Sequence, residues 1–244
     1  MAGHSKWSKV KRIKAVVDAK RGKIFSKLAR EITVAAKIGG GDPGMNPRLR
    51  MVLLKCRAVN LPAENIDRAI KKGLGGGEGV NFEDLSYEIY APHGVVLLVE
   101  LSTDNRNRTA AEIRSIVTKN GGSIAMPGSV SRLFHRKGQI IVSREVVPED
   151  KLMELALETG AEDFKSDEQG FEILTEPAIF EAVHQKMESA GIKAEAAEIT
   201  SHPTVTVPLA GAAAIADASK LIDALEEHDD VKEVYSNAEF PEVA

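Results

Sequence analysis

The chain has 244 residues, 43% hydrophobic and 28% charged, enough apolar material for two or three ordinary globular cores. One cysteine excludes an intramolecular disulfide, and no run of 18 apolar residues offers a transmembrane helix, so the expected compartment is the reducing cytoplasm. The formal net charge of −4 conceals a split: Met1–Gly75 holds 18 Lys+Arg against 5 Asp+Glu, and the remainder holds 14 against 31. A cationic head on an acidic body attracts polyanions, nucleic acid foremost, and the bland alternative is a solvated Lys-rich bundle.

In chain order, SKWSKVKRIK at 5–14 carries Lys6, Lys9, Lys11, Arg12 and Lys14 with little apolar material, and reads as a mobile arm. Trp7 within it either stacks on a base or folds back onto the protein. From Asp18 to Ile38 the pattern is helical. Ile24, Leu28, Ile32 and Ala35 recur at steps of three and four, and Lys20, Lys23, Lys27, Arg30 and Lys37, with Arg21, form a cationic row about half a turn away. Gly39-Gly40-Gly41 ends this helix, and Asn46-Pro47 supplies the cap and first turn of the next, with Leu49, Val52, Leu53 and Cys56 inward. Arg48 and Arg50 at its start oppose the helix dipole, which points to another use such as phosphate contact. Cys56 lies in the apolar pattern and reads as a buried structural thiol. Leu61-Pro62 opens a third helix that Gly73 stops, and the glycines from 73 to 79 read as a hinge. Because Lys71-Lys72 precede those glycines, they do not form a phosphate loop.

Beyond the hinge, Leu85, Tyr87 and Ile89 alternate with polar residues, Ala91–Gly94 turns, and Val95–Leu101 returns as a hairpin strand. Thr103 or Asp104 caps a helix to Lys119. Residues 138–200 read strand (Gln139–Ser143), helix (Pro148–Thr159), two paired strands (Ala161–Ser166, Phe171–Leu174), helix (Pro177–Ala190), strand (Ile192–Ile199), the split βαββαβ order. Thr204–Val207, Ala212–Glu227 and Val231–Tyr235 complete the preceding layer. The expected fold class is α+β: an N-terminal three-helix bundle followed by two ferredoxin-like α/β domains, the second inserted in the first. The expected domains are residues 1–79, residues 80–132 with 204–244, and residues 133–203.

MAGHSKWSKVK, DAKRGKIFSKLAREITVAAKIGGGDPGMNPRLR and NIDRAIKKG closely resemble the opening of the YebC/PmpR family, whose mitochondrial relatives include a translational activator of cytochrome c oxidase. The resemblance continues at LSTDNRNRTAAEIRSIVTKNGG and GSVSRLFHRKG. It implies a three-domain DNA-binding transcriptional regulator, and also a ribosome-associated factor that acts where translation stalls on proline-rich nascent chains.

No catalytic constellation stands out. The histidines at 4, 93, 135, 184, 202 and 228 lack metal-ligand spacing, no nucleophile elbow occurs, and carboxylates such as Glu226, Glu227, Asp229 and Asp230 sit in solvated charge runs. No cofactor or metal is therefore expected. Arg106 and Arg108 at a helix N-terminus form a candidate anion or partner site, unless local acids such as Glu112 pair with them. The resulting expectation is a non-catalytic regulator that grips the phosphates of DNA, or of ribosomal RNA, through its head. Its acidic body, repelled outward on the hinge, engages a protein partner. A weaker reading, by fold analogy alone, is a small-molecule sensor.

Overall fold

The computed structural model describes the backbone of residues 4–75 and 82–241 and the side chains of residues 22–75 and 82–241. The helical head contains α1 (His4–Gly39), α2 (Pro47–Ala58) and α3 (Ala63–Leu74). There follow β1 (Glu83–Tyr90), β2 (Val96–Thr103), α4 (Arg106–Lys119) and β3 (Ser123–Ile124). Next come β4 (Phe134–Ser143), α5 (Glu149–Glu158), β5 (Asp163–Ser166), β6 (Gly170–Thr175), α6 (Phe180–Ser189) and β7 (Ala196–Pro203). The chain closes with β8 (Val207–Pro208), α7 (Ala212–Glu226), β9 (Val231–Ser236) and β10 (Ala238–Glu239). The α+β class is as read from the sequence. The chain divides into two compact units, one of Lys6–Gly75 with Arg136–Ser201 and one of Gly76–His135 with His202–Ala244.

The arm expected at 5–14 is instead the first part of α1, which starts at His4 rather than Asp18. Neither glycine nor proline falls between residues 4 and 21, lysine and arginine are good helix formers, and Val10, Ile13 and Val17 fall at helical spacing with Ile24. The side chains of residues 1–21 and the glycine-rich segment 76–81 lie outside the described residues. Leu28, Ile32 and Ala35 of α1 pack on Leu49, Val52 and Cys56 of α2 and Ala69 of α3. Burial of Cys56 pushes its thiol up to about 11, as expected for an inert core residue.

Gly73 does not stop α3, which runs on to Leu74. Its role is close approach: a Cβ there would lie 2.5 Å from the Thr33 carbonyl oxygen and 2.8 Å from Ala36 Cβ. Asn46 holds the turn between α1 and α2. It is 3% exposed, accepts from Leu49 N–H as the helix cap, and donates through Nδ2 to the carbonyls of Ala35 (2.9 Å) and Gly40 (2.7 Å).

The inserted sheet has strand order β5-β6-β4-β7, the order of the split βαβ unit. Ile140 and Val142 of β4 and Phe171 and Ile173 of β6 face Leu152 and Ala156 of α5 and Phe180, Val183 and Met187 of α6. The last strand begins four residues later than expected, because Gly191 turns at φ +76° and Ile192 points into the core. Met51 and Leu54 of α2 pack against this same core, so the helical head and the inserted sheet form one unit. This corrects the expectation of an acidic body repelled as a whole from the head. Residues 136–201 hold 7 Lys+Arg against 15 Asp+Glu, a complement to the cationic bundle.

In the other unit the sheet order is β3-β1-β2-β9, with β1 and β2 antiparallel from Glu83↔Thr103 to Tyr90↔Val96. Leu97, Val99 and Leu101 meet Ile113 and Val117 of α4 and Leu221 and Leu225 of α7. Val96 and Leu98 meet Ala125, Val130 and Phe134 on the opposite face. Both faces of β2 are covered, which is why its sequence is apolar without alternation. The strand expected at Thr204–Val207 does not join this sheet. Thr204 N–H bonds to the Leu133 carbonyl, and β8 pairs in parallel with β10, while the short β3 takes the edge beside β1. Pro203 and Pro208 leave that stretch short of the donors a ladder needs.

Replacing Asn46 by Ala removes the cap and leaves two carbonyls without their donor, and the head should lose about 1–3 kcal/mol. Urea unfolding followed by emission of Trp7, the single tryptophan, checks this; an unshifted midpoint would show that the turn holds without Asn46.

Candidate nucleic-acid interface

The residues of the head named from sequence, Arg50 apart, fall into three groups. Lys6, Trp7, Lys9, Lys11, Arg12, Lys14, Lys20 and Arg21 lie on α1 where side chains are outside the described residues. Lys23, Lys27, Arg30 and Arg48 are half-buried, and each engages another group of the chain. Lys37, in the last turn of α1, is exposed and also engages another group of the chain. The helical row of cations is therefore partly absorbed into the fold.

Arg50 is the clearest correction. Its Nη1 donates to the carbonyls of Pro43 (2.6 Å) and Gly44 (3.2 Å), and its Nε lies 2.6 Å from Glu181 Oε1 on α6. The cation that opposes the dipole of α2 is held by this chain's own carboxylate and loop oxygens, not reserved for phosphate. Beside it, Met51 and Leu54 reach the core of the inserted sheet.

Among the described residues of the head, exposed cations also stand where the helical row of α1 does not predict them. Arg57 near the end of α2 and Arg68, Lys71 and Lys72 on α3 are all exposed. Arg68, Lys71 and Lys72 stand at i, i+3 and i+4, hence on one face of α3, turned away from the inward face of Ile66, Ala69, Ile70 and Gly73. The signal in the sequence is the i, i+3, i+4 spacing of these three cations within NIDRAIKKG, which runs beside the apolar stripe of Ile66, Ala69 and Ile70. Lys71 and Lys72 also complement the C-terminal end of the helix dipole.

The arginine pair of STDNRNRT has a structural role at Arg108. Asn105, rather than Thr103 or Asp104, caps α4 by accepting from Arg108 N–H. Arg108 Nη2 lies 2.9 Å from both Asp230 Oδ2 and Asp104 Oδ1, and these two carboxylates raise its already high pKa. Thr109 Oγ1 donates to Asp230 Oδ2 at 2.7 Å, and Asp230 is only 4% exposed. The motif thus ties the start of α4 to the turn before β9. Arg106 beside it is exposed.

GSVSRLF is likewise anchored. Glu88 on β1 accepts backbone N–H bonds from Gly128 (2.7 Å), Val130 and Ser131 (3.0 Å). Burial alone would push this carboxyl up, but the three donors outweigh it and hold it below its ordinary value. Among the described residues no group of three or more His, Cys, Asp or Glu could hold a metal ion, and no helix is long and apolar enough to cross a membrane.

These features define a class: a mixed α/β protein with a cationic helical head, one face of which is docked on an acidic sheet. Residues 5–76 match the family described as the TACO1/YebC protein N-terminal domain, and residues 82–238 match the TACO1/YebC second and third domain. The chain belongs to the TACO1/YebC family. It is 49% identical over 242 residues to a "probable transcriptional regulatory protein" of Opitutus terrae, covering 99% of this chain and 98% of the relative. One of the same description from Geobacter sulfurreducens is 52% identical over 237 residues, covering 97% and 95%. The crystal structure of a conserved hypothetical protein from Aquifex aeolicus superposes with a TM-score of 0.82 at 48% identity, covering 93% of each chain.

Because the folded pKa of Glu88 is lowered, its stabilisation is complete above the ordinary carboxyl value of 4.5 and is lost as pH falls below that value through the folded one. Glu88→Gln should flatten the acid limb of the melting-temperature profile between about pH 5 and 3 and speed amide exchange at 128–131 at neutral pH. An unaltered acid limb would show that this carboxylate does not hold the loop.

Proposed function

We propose that the protein is a non-catalytic regulator that binds duplex DNA through the open cationic surface of its helical head. The observation that carries this reading is the segregation of charge, 18 Lys+Arg against 5 Asp+Glu in residues 1–75, with Arg57, Arg68, Lys71 and Lys72 exposed on α2 and α3. Cations clustered on a small helical body neutralise phosphates and release counterions, which supplies affinity without base reading. The description of its relatives as probable transcriptional regulatory proteins supports the same reading. Residues 1–79 act as the binding domain. Residues 80–132 with 204–244, and the part of the inserted residues 133–203 not docked on the head, present acidic surface that cannot rest on phosphate and engages a protein partner instead. The place of action is the cytoplasm, where the lone Cys56 stays reduced.

Arg57→Ala, Arg68→Ala, Lys71→Ala and Lys72→Ala combined should weaken binding to a 30-base-pair duplex by about 30-fold or more at physiological salt, each lost phosphate contact also making the salt slope about one unit shallower. Fluorescence anisotropy reads this, with the variant still folded and its melting temperature lowered only slightly, because all four side chains are exposed and only Lys71 and Lys72 complement a helix end. Equal binding by the variant would remove α2 and α3 from the interface. Cosedimentation with ribosomes in the absence of any DNA binding would move the function to translation.

A further inference from the structure

The turn between α1 and α2 is built more firmly than a connection requires, and what it displays is apolar. Asp42 accepts from Gly44 N–H through its side chain (2.8 Å) and from Met45 and Asn46 N–H through its carbonyl. Arg50 clasps the carbonyls of Pro43 and Gly44, and buried Asn46 ties the turn to Ala35 and Gly40. Within this frame Met45 is 81% exposed.

Two more large apolar side chains stand at the same end of the head, Ile38 at 69% and Leu74 at 54% exposure. Their proximity follows from the glycines. A Cβ on Gly41 would lie 2.7 Å from Leu74 Cδ1, and a Cβ on Gly73 would lie 3.1 Å from the Lys37 backbone nitrogen, so the ends of α1 and α3 and the turn converge. Lys71 and Lys72 are exposed in the last turn of α3, and Lys37 in that of α1.

Singly exposed apolar residues are ordinary. Here Ile38 and Leu74 stand among exposed lysines at the converging ends of α1 and α3, and the adjoining turn projects Met45 from an over-determined frame; the core accounts for none of the three. Helix-dipole compensation explains lysines in a last turn but not an apolar centre among them. An apolar point within a cationic rim matches a nucleic acid, in which base faces lie between rows of phosphate, and aliphatic side chains act there as wedges between base steps. A protein partner of acidic character would meet the lysines equally well, but it would not call for a rigid single-residue projection.

We infer that the Met45 turn is a wedge that enters nucleic acid at an unstacked base step, with Leu74 and Ile38 against the displaced base and Lys71 and Lys72 on the flanking phosphates. This rests on the nucleic-acid reading above and adds to it which element meets the bases. A weak step such as a bulge or mismatch, already partly unstacked, should be preferred over a perfect duplex.

The test uses the full chain and a duplex carrying 2-aminopurine beside a one-base bulge, with a perfect duplex as comparison. The unaltered protein should bind the bulged duplex more tightly and raise 2-aminopurine emission as the step opens. Met45→Ser should lose about tenfold in affinity for the bulged duplex and most of the emission change. It should leave the salt slope unchanged because no charge is removed, and Met45→Leu should retain both properties. Bulge binding with full emission change in Met45→Ser would overturn the wedge while leaving the phosphate grip intact. Absence of binding to either duplex by the unaltered chain would overturn both readings. A concentration-dependent dimer abolished by Met45→Ser, with nucleic-acid binding unaffected, would assign the tip to a second copy and overturn the wedge.

Discussion

The contact of α2 with the inserted sheet decides which parts of the cationic head remain available. Met51 and Leu54 pack, partly buried, against the apolar core of that sheet, and Arg50 lies against Glu181 of α6. Both partners of this ion pair are about one-third exposed, so its Coulomb energy is modest, and the apolar burial beside it supplies most of the hold. What the ion pair adds is orientation. It fixes the Arg50 guanidinium, and through it the carbonyls of Pro43 and Gly44, so that docking of one face and shaping of the adjoining turn are a single arrangement.

That coupling gives the acidic domain a role other than repulsion. A polyanion approaching the head meets residues 136–201, with twice as many acidic as basic residues, on one side and the exposed cations of α3 on the other. Under the function proposed above, such a field would favour phosphate on the exposed cations of α3 and Arg57 over the docked face of α2. Two carboxylates outside this contact are structural. Asp230 receives Arg108 and Thr109, and Glu88 gathers three backbone amides, each binding a loop to its sheet. The most distinctive motifs beyond the head, STDNRNRT and GSVSRLF, are in large part these two locks.

Much of this was legible in the sequence. The periodicity of Leu28, Ile32 and Ala35, the Asn46-Pro47 start of α2 and the βαββαβ succession all rest on local patterns, and each is present. The misses have a common cause, which is that tertiary partners are invisible to local reading. Arg50 at a helix start suggested phosphate because Glu181 is distant in sequence. Gly73 suggested a stop because the close approach of α1 to α3 is not encoded locally. Thr204–Val207 read as a sheet strand although the edge is taken by the two residues of β3, too short to show any period. The segment at 5–14 read as an arm because its charge outweighed its uninterrupted helix-forming composition. Of the candidate site, the sign of the charge was legible. Its location on Arg57, Arg68, Lys71 and Lys72 needed exposure, which a single sequence does not supply.

The proposed function requires that the head keep enough open positive charge to displace counterions from nucleic acid. The direct measurement is the association constant for a short duplex titrated with salt. If the head neutralises about six phosphates, log K should fall against log[salt] with a slope near −5. A slope near zero, for DNA and RNA alike, would contradict the account.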